Sequence, residues 1–264
     1  MTDQPAAAAP PERPTGPLDE PNEGRVLEAS VDGVAYARQP VRTHLVTATD
    51  DAAEVLARYA QPLPEDTALV AVSERMVAIT QGRSHRMVDI RPGRLARFLV
   101  RFVTRPGYGI GLGTAETMQL AIDEVGASRI LLAAGVSAVT KPFGVHGLFY
   151  RVAGPQAAAI DGPTSYTIPP YNESATLGPR DPDGAARRLA AAIDRPVAVI
   201  DANDAGCNVL GASPGVDRQL VRRLFADNPL GQAREQTPIA IVRRIAWPAG
   251  QALPREPRRR LTPP

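Results

Sequence analysis

Lysine is almost absent from this chain: Lys141 is the only one among 30 basic residues, and the rest are arginine. Cysteine is nearly as scarce. Cys207 stands alone, which excludes an internal disulfide and any zinc or iron–sulfur site built from several thiolates, and fits a reducing cytoplasm. The three histidines, His44, His85 and His146, are too widely spaced to form a metal motif, and aromatics make up only 5 %. No apolar run approaches the roughly 18 residues of a membrane span. The N-terminus lacks the basic-then-apolar order of a signal peptide. The expectation is a cytoplasmic protein without a membrane partner. Net charge is +2 over 264 residues, and the run Arg255-Glu256-Pro257-Arg258-Arg259-Arg260 supplies part of the basic excess, so no nucleic-acid partner is expected.

With 44 % hydrophobic residues the chain can bury one large core or two small ones. Residues 1–24 are crowded with proline and alanine and are expected to be disordered, as is the basic, proline-rich tail 249–264. Between them, residues 25–248 read as one mixed α/β domain. Carboxylates at Asp50 and Asp51 precede apolar residues at helical spacing up to Tyr59, which predicts a helix. Asp66–Ser73 reads as a buried strand. Thr114, with Thr117 in the Glu position of a capping box, opens a helix that Gly126 stops. Ile130–Ala134 reads as the next strand. Asp183 is the expected cap of a helix to Ile193, which feeds a strand from Val197 to Asp201.

Several groups of residues have chemical potential. Lys141 lies in Lys141-Pro142-Phe143-Gly144-Val145-His146-Gly147, a shaped turn where a compact ammonium would suit a phosphate or acyl-phosphate oxygen; a chance survivor on a surface loop would look the same. His146, five residues on, is the histidine best placed to act with it. Asp201-Ala202-Asn203-Asp204 sets carboxylates and an amide past the end of an apolar strand, where mixed α/β proteins commonly bind ligands. Oxygen ligands of this kind suit Mg²⁺ or Mn²⁺ with a nucleotide's phosphates, and an Asx-rich turn would read identically. Asp161 also ends an apolar run, and two strand-end aspartates can share a divalent ion. The loop Arg105–Thr114, with Gly109, Gly111 and Gly113, can offer backbone N–H groups to an anion or act as a turn or lid; it has neither the Walker ending nor the dinucleotide fingerprint. Tyr166–Ser174 is a stiff polar loop able to line a pocket or to serve as a connector. Cys207 reads as a small buried residue.

The order of these segments, from about Arg42 to Arg243, resembles the coenzyme F420-0:L-glutamate ligase family. Arg42-Thr43-His44-Leu45-Val46 followed by Asp50-Asp51 is similar to the family's entry strand and Asp-Asp helix start. Val77, Gly82 and Arg83 match the pattern Lys-x-Val-Ser-Lys-x-Glu-Gly-Arg, in which Arg75, Ala78, Ile79 and Gln81 are exchanges. His146-Gly147 and Ile160-Asp161 resemble the family's His-Gly and its metal aspartate. Asp181-Pro182-Asp183 resembles its Asp-Pro-Asp helix start, and Asp201 falls on the aspartate of its Ser-Asp-Thr metal loop. Gly231-Gln232-Ala233-Arg234-Glu235-Gln236-Thr237-Pro238 is similar to the closing Gly-Glu-Gly-x-Glu-x-x-Pro.

The resemblance implies an α/β fold of the F420-0:glutamate-ligase type, an intertwined homodimer, and a groove for GTP (or ATP) with Mn²⁺ or Mg²⁺. The implied reaction is amide ligation, in which the nucleotide phosphorylates a substrate carboxylate and the amine of an amino acid attacks the acyl phosphate. It implies Asp161, Asp201 and Glu235 as metal ligands. Arg83, Lys141, Asn203 and the glycines of the 105–114 loop would hold phosphate or carboxylate groups. The exchanges at Gln81 and Gln232 leave open F420-0 itself, another carboxylate and amine pair, or a non-catalytic nucleotide-binding relative.

Overall fold

The computed structural model describes residues 15–103, 111–144 and 147–259. In chain order the first half contains strands β1 (Gly16–Pro17), β2 (Glu28–Val31) and β3 (Val34–Arg42), helix α1 (Ala52–Ala60), strand β4 (Thr67–Ser73), helix α2 (Glu74–Thr80) and strand β5 (Ser84–Arg86). A helical stretch follows, with α3 (Arg94–Leu99), α4 (Ala115–Val125), α5 (Ala127–Thr140), α6 (Leu148–Ala153) and α7 (Pro155–Ala158). The chain then returns through β6 (Ser174–Thr176), α8 (Pro182–Ile193), β7 (Val197–Asn203), β8 (Gly206–Ala212), α9 (Arg218–Leu224) and β9 (Ile239–Arg244). The class is mixed α and β, as the alternating patterns predict. No helix among the described residues is long and apolar enough to cross a membrane.

The main sheet runs β1-β3-β9-β4-β7-β8, with β2 also on β3. Only β4 and β7 are parallel; the other pairs are antiparallel. Side chains on a strand alternate faces, and here both faces are covered. Val70 and Val72 of β4, Val197 and Val199 of β7, and Ile239 and Ile241 of β9 pack with α1, α2 and α8. Their neighbours Leu69, Ala71, Ala198, Ile200, Ala240 and Val242 pack with α9 and Phe225 on the other side. Burial on both faces is why these strands read as continuous apolar runs. A third core, with Met118, Ile130 and Ala153 at its centre, lies among α3–α7 and the β5-β6 pair.

Several local expectations are met by the same physics that motivated them. Asp51 caps α1, accepting from the N–H groups of Ala53 and Glu54. Thr114 and Thr117 form the capping box of α4. Three expectations are corrected. Ile130–Ala134 is helix within α5: Ile130 and Ala133 are buried three residues apart while Leu131 and Leu132 face out, and the alanine-rich surroundings favour a helix over a strand. The cap of α8 is Asp181, which accepts from Gly184 N, because Pro182 at the first helical position starts the helix two residues earlier than expected. Asp183 instead accepts from Ala212 N and pairs with Arg218. Residues 15–24 and 249–259, expected in unpacked tails, run along the body. Gly16-Pro17 pairs with the end of β3, and Asn22 is buried with its amide donating to Pro229 O, Leu230 O and Thr237 Oγ1. Near the other end, Ser30 N and Oγ donate to Arg255 O and Pro254 O, and Arg223 pairs with Glu256. Proline density removes N–H donors but not carbonyl acceptors, so such a segment can still be tied down from the body's side.

Candidate functional site

The two parallel strands set the position of the site. Their carboxyl ends, at Ser73 and around Asp201, open beside each other, the place where α/β sheets commonly bind ligands. A cavity of about 680 Å³ lies there, walled by the start of α2, the 160–171 loop, the β7-β8 hairpin and the 230–238 loop. Asp201 belongs to β7 and pairs across to Asn208 rather than lying past the strand end. The chain turns at Asp204-Ala205, between paired Asn203 and Gly206. Asn203 donates to Asp201 Oδ1 at 3.3 Å and accepts from Ala205 N at 2.9 Å, so its amide bridges strand and turn. Arg25 holds Asp204 from outside at 2.8 Å.

Asp161 is positioned by its backbone. An isolated bridge, Asp161 N to Thr176 O and Thr176 N to Asp161 O, both 2.9 Å, fixes it beside β6. Its carboxylate takes Arg75 Nη2 at 2.9 Å, while Arg75 Nη1 reaches Thr167 Oγ1 at 3.2 Å. Glu74, the first residue of α2, completes the group. It lines the cavity, and among the described residues none hydrogen-bonds or ion-pairs with its carboxylate. Burial, then the charges of Asp201 and Asp161, push the Glu74 carboxyl well above the usual carboxylate range. Burial and then Asp161 raise Asp201 as well. Glu74, Asp161 and Asp201 thus act on one another within the pocket, with Arg75 as counter-charge.

Another part of the lining is aromatic. His44 accepts or donates at both ring nitrogens, to Tyr59 OH at 2.8 Å and Asp50 Oδ1 at 3.1 Å. The Thr47 backbone N–H, 2.7 Å from Asp50 Oδ2, is the main cause that holds the Asp50 carboxyl below its ordinary value. Tyr171 donates its hydroxyl to Val46 O at 2.6 Å. Matched against models of known protein families and against curated proteins, the chain has no match.

Of the residues singled out in sequence, Asp161, Asp201, Asn203, Glu235 and Gly111 line this cavity. Glu235 turns onto its own loop, where Oε2 accepts from Ala233 N at 2.7 Å. Arg83 lies elsewhere, buried, paired with Glu124 at 2.7 Å and donating to Gly178 O at 2.6 Å, so it joins α4 to the segment before α8. Gly113 is buried just ahead of the α4 cap. Lys141 is exposed in the turn that follows α5 and is not part of the cavity lining. Gly109 and His146 lie outside the described residues. Cys207 is inert as a nucleophile: burial first, then Asp201, pushes its thiol up to about 12.

The donor chemistry fits a hard divalent cation, because burial and the neighbouring Asp161 disfavour the charged form of Asp201, which a bound cation would favour. Among the described residues no three acidic, histidine or cysteine side chains close a metal shell. A magnesium-type ion commonly takes only one or two carboxylates and completes its octahedron with waters and substrate phosphates.

Proposed function

We propose that the chain is a nucleotide- and metal-dependent carboxylate–amine ligase of the kind it resembles, with this cavity as its active site. The observation that carries the reading is the meeting of Asp161, Asp201 and Glu74 at the carboxyl ends of the two parallel strands, beside Arg75. Asp161 and Asp201 would hold the cation together with the nucleotide's phosphates. Bound there, a divalent ion supplies neutralisation of the charge that develops on a transferring phosphoryl group. Arg75 can leave Asp161 for a phosphate or substrate carboxylate, since the fork of a guanidinium matches either anion. Burial and the charges of Asp201 and Asp161 raise the Glu74 carboxyl, so a cation held between these acids would relieve their mutual repulsion. In the reaction a substrate carboxylate oxygen bonds to the terminal phosphorus and the nucleoside diphosphate leaves. An amine nitrogen then bonds to the acyl carbon, and phosphate leaves with loss of an amine proton.

A second reading, nucleotide binding without turnover, is favoured by the Arg75–Asp161 pair and by the inward fold of Glu235. One series separates the two. GTP or ATP with Mn²⁺ is expected to raise the melting temperature, because a ligand of the folded state stabilises it. The shift should lose its metal dependence in Asp201→Asn. No shift with either nucleotide and Mn²⁺ sinks both readings. A shift without diphosphate release on adding glutamate and candidate acids leaves only the binding reading. An intertwined homodimer belongs to the same proposal and is checked by light scattering.

A further inference from the structure

The segment from Arg86 to Phe102 has five arginines against one aspartate, Asp89. Arg86, Arg91, Arg94, Arg97 and Arg101 are all exposed, and none forms an ion pair among the described residues. Ala96 and Leu99 of α3 are buried against the α3–α7 core, with Leu95 and Val103 partly so. The helix therefore turns Arg94, Arg97 and Arg101 outward, and beside them Phe98 and Phe102, which are 53 % and 65 % exposed. These rings pack edge to face with centroids 5.2 Å apart and form one apolar knob. Exposed phenylalanines are costly to a surface that meets only water.

We propose that this face docks the protein on an anionic lipid surface, the phenylalanine pair entering the headgroup boundary while the arginines meet lipid phosphates. Basic and apolar groups side by side on one short amphipathic segment are what interfacial binding uses, and no spanning helix is needed. The sequence alone led to no membrane partner because no apolar run is long enough to span a bilayer, a criterion that a surface-bound face does not have to meet. Two other occupants fit less well. Across a two-fold axis a second copy would set arginines against arginines, a like-charge contact. Single-stranded nucleic acid would stack on free ring faces, and here the rings are turned on each other. The surface is separate from the cavity and does not depend on its chemistry.

The test is flotation of the full chain with vesicles of phosphatidylglycerol and phosphatidylcholine, and with phosphatidylcholine alone, at low and high salt. Binding only to the anionic vesicles, weakened by salt, is expected. Arg94→Gln/Arg97→Gln/Arg101→Gln should reduce partitioning about 100-fold, at roughly fivefold per arginine. Phe98→Ser/Phe102→Ser should reduce it at least about tenfold. Circular dichroism melts confirm that each variant is folded, and Phe98→Ala/Phe102→Ala replaces the serine pair if it is not. Absence of binding to anionic vesicles overturns the proposal. So does binding that survives the arginine substitutions, which would assign it to the Arg255–Arg260 run. Tighter binding to a single-stranded RNA oligonucleotide than to vesicles overturns it in favour of nucleic acid.

Discussion

Arg38→Met would remove the most deeply buried charge among the described residues while keeping most of the side chain's length. Arg38 is 0 % exposed, and every arm of its guanidinium is used. Nε donates to Leu27 O at 3.3 Å; Nη1 donates to Leu224 O and Asp227 Oδ1, both at 2.5 Å; Nη2 donates to Val26 O at 2.9 Å and Asp227 Oδ2 at 3.2 Å. Methionine supplies none of these donors, so the Asp227 carboxylate is stranded in a side-chain environment only 17 % exposed, and the carbonyls of Val26 and Leu224 lose a partner. Removing one member of a buried pair costs about 3–5 kcal/mol, and at about 2–4 °C per kcal/mol in a chain of this size the melting temperature should fall by about 6–20 °C. Calorimetry of the single and double variants is the assay. Asp227→Asn added to Arg38→Met should recover about 1–2 kcal/mol, because the stranded charge is gone. A loss below about 1 kcal/mol for Arg38→Met, or strict additivity in the double variant, would refute the reasoning.

Glu74 gives a pH prediction. Its carboxyl is raised, so the folded chain holds that proton more tightly than the unfolded one; the associated stability is complete below about pH 4.3 and is lost as pH rises through the elevated value. Glu74→Gln should therefore gain on the parent protein from about pH 4 towards pH 7 in thermal melts, and a difference independent of pH would count against the assignment. Gly211→Ala would drive a methyl group into the Pro182 carbonyl at the start of α8, a backbone contact that cannot yield by rotamer change; at least about 2 kcal/mol should be lost in urea unfolding. Lys141→Ala should leave nucleotide–Mn²⁺ thermal shifts unchanged, since Lys141 is outside the cavity lining; a lost shift would place it in the site.

What was legible in the sequence is what local rules decide. Asp51 and Thr114 are caps because a side-chain oxygen can satisfy free helix N–H groups wherever the helix sits, and β4 and β7 announce themselves by apolar residues on both faces. Ile130–Ala134 was illegible because five apolar residues fit a buried strand and the inner stretch of a helix equally well. In the cavity, Asp161 and Asp201 could be picked as acids ending apolar runs. Glu74 nearly meets the same criterion, an acid one residue past the buried Leu69–Val72 stretch, but only the parallel pairing of β4 with β7 brings it to Asp201. Lys141 stood out by rarity, a property of composition that has no necessary link to position. Arg83 matched a family pattern, yet its guanidinium is spent on Glu124 and Gly178.

The N-terminal segment bears on how this cavity can be handled. Asn22 grips the loop at Pro229, Leu230 and Thr237, and Arg25 grips Asp204 in the hairpin turn and the Asp227 carbonyl, so two walls of the cavity are clamped by residues that precede the first family-like motif. A chain trimmed to begin at Arg42 would keep every catalytic candidate and still lose the frame that sets the spacing between them.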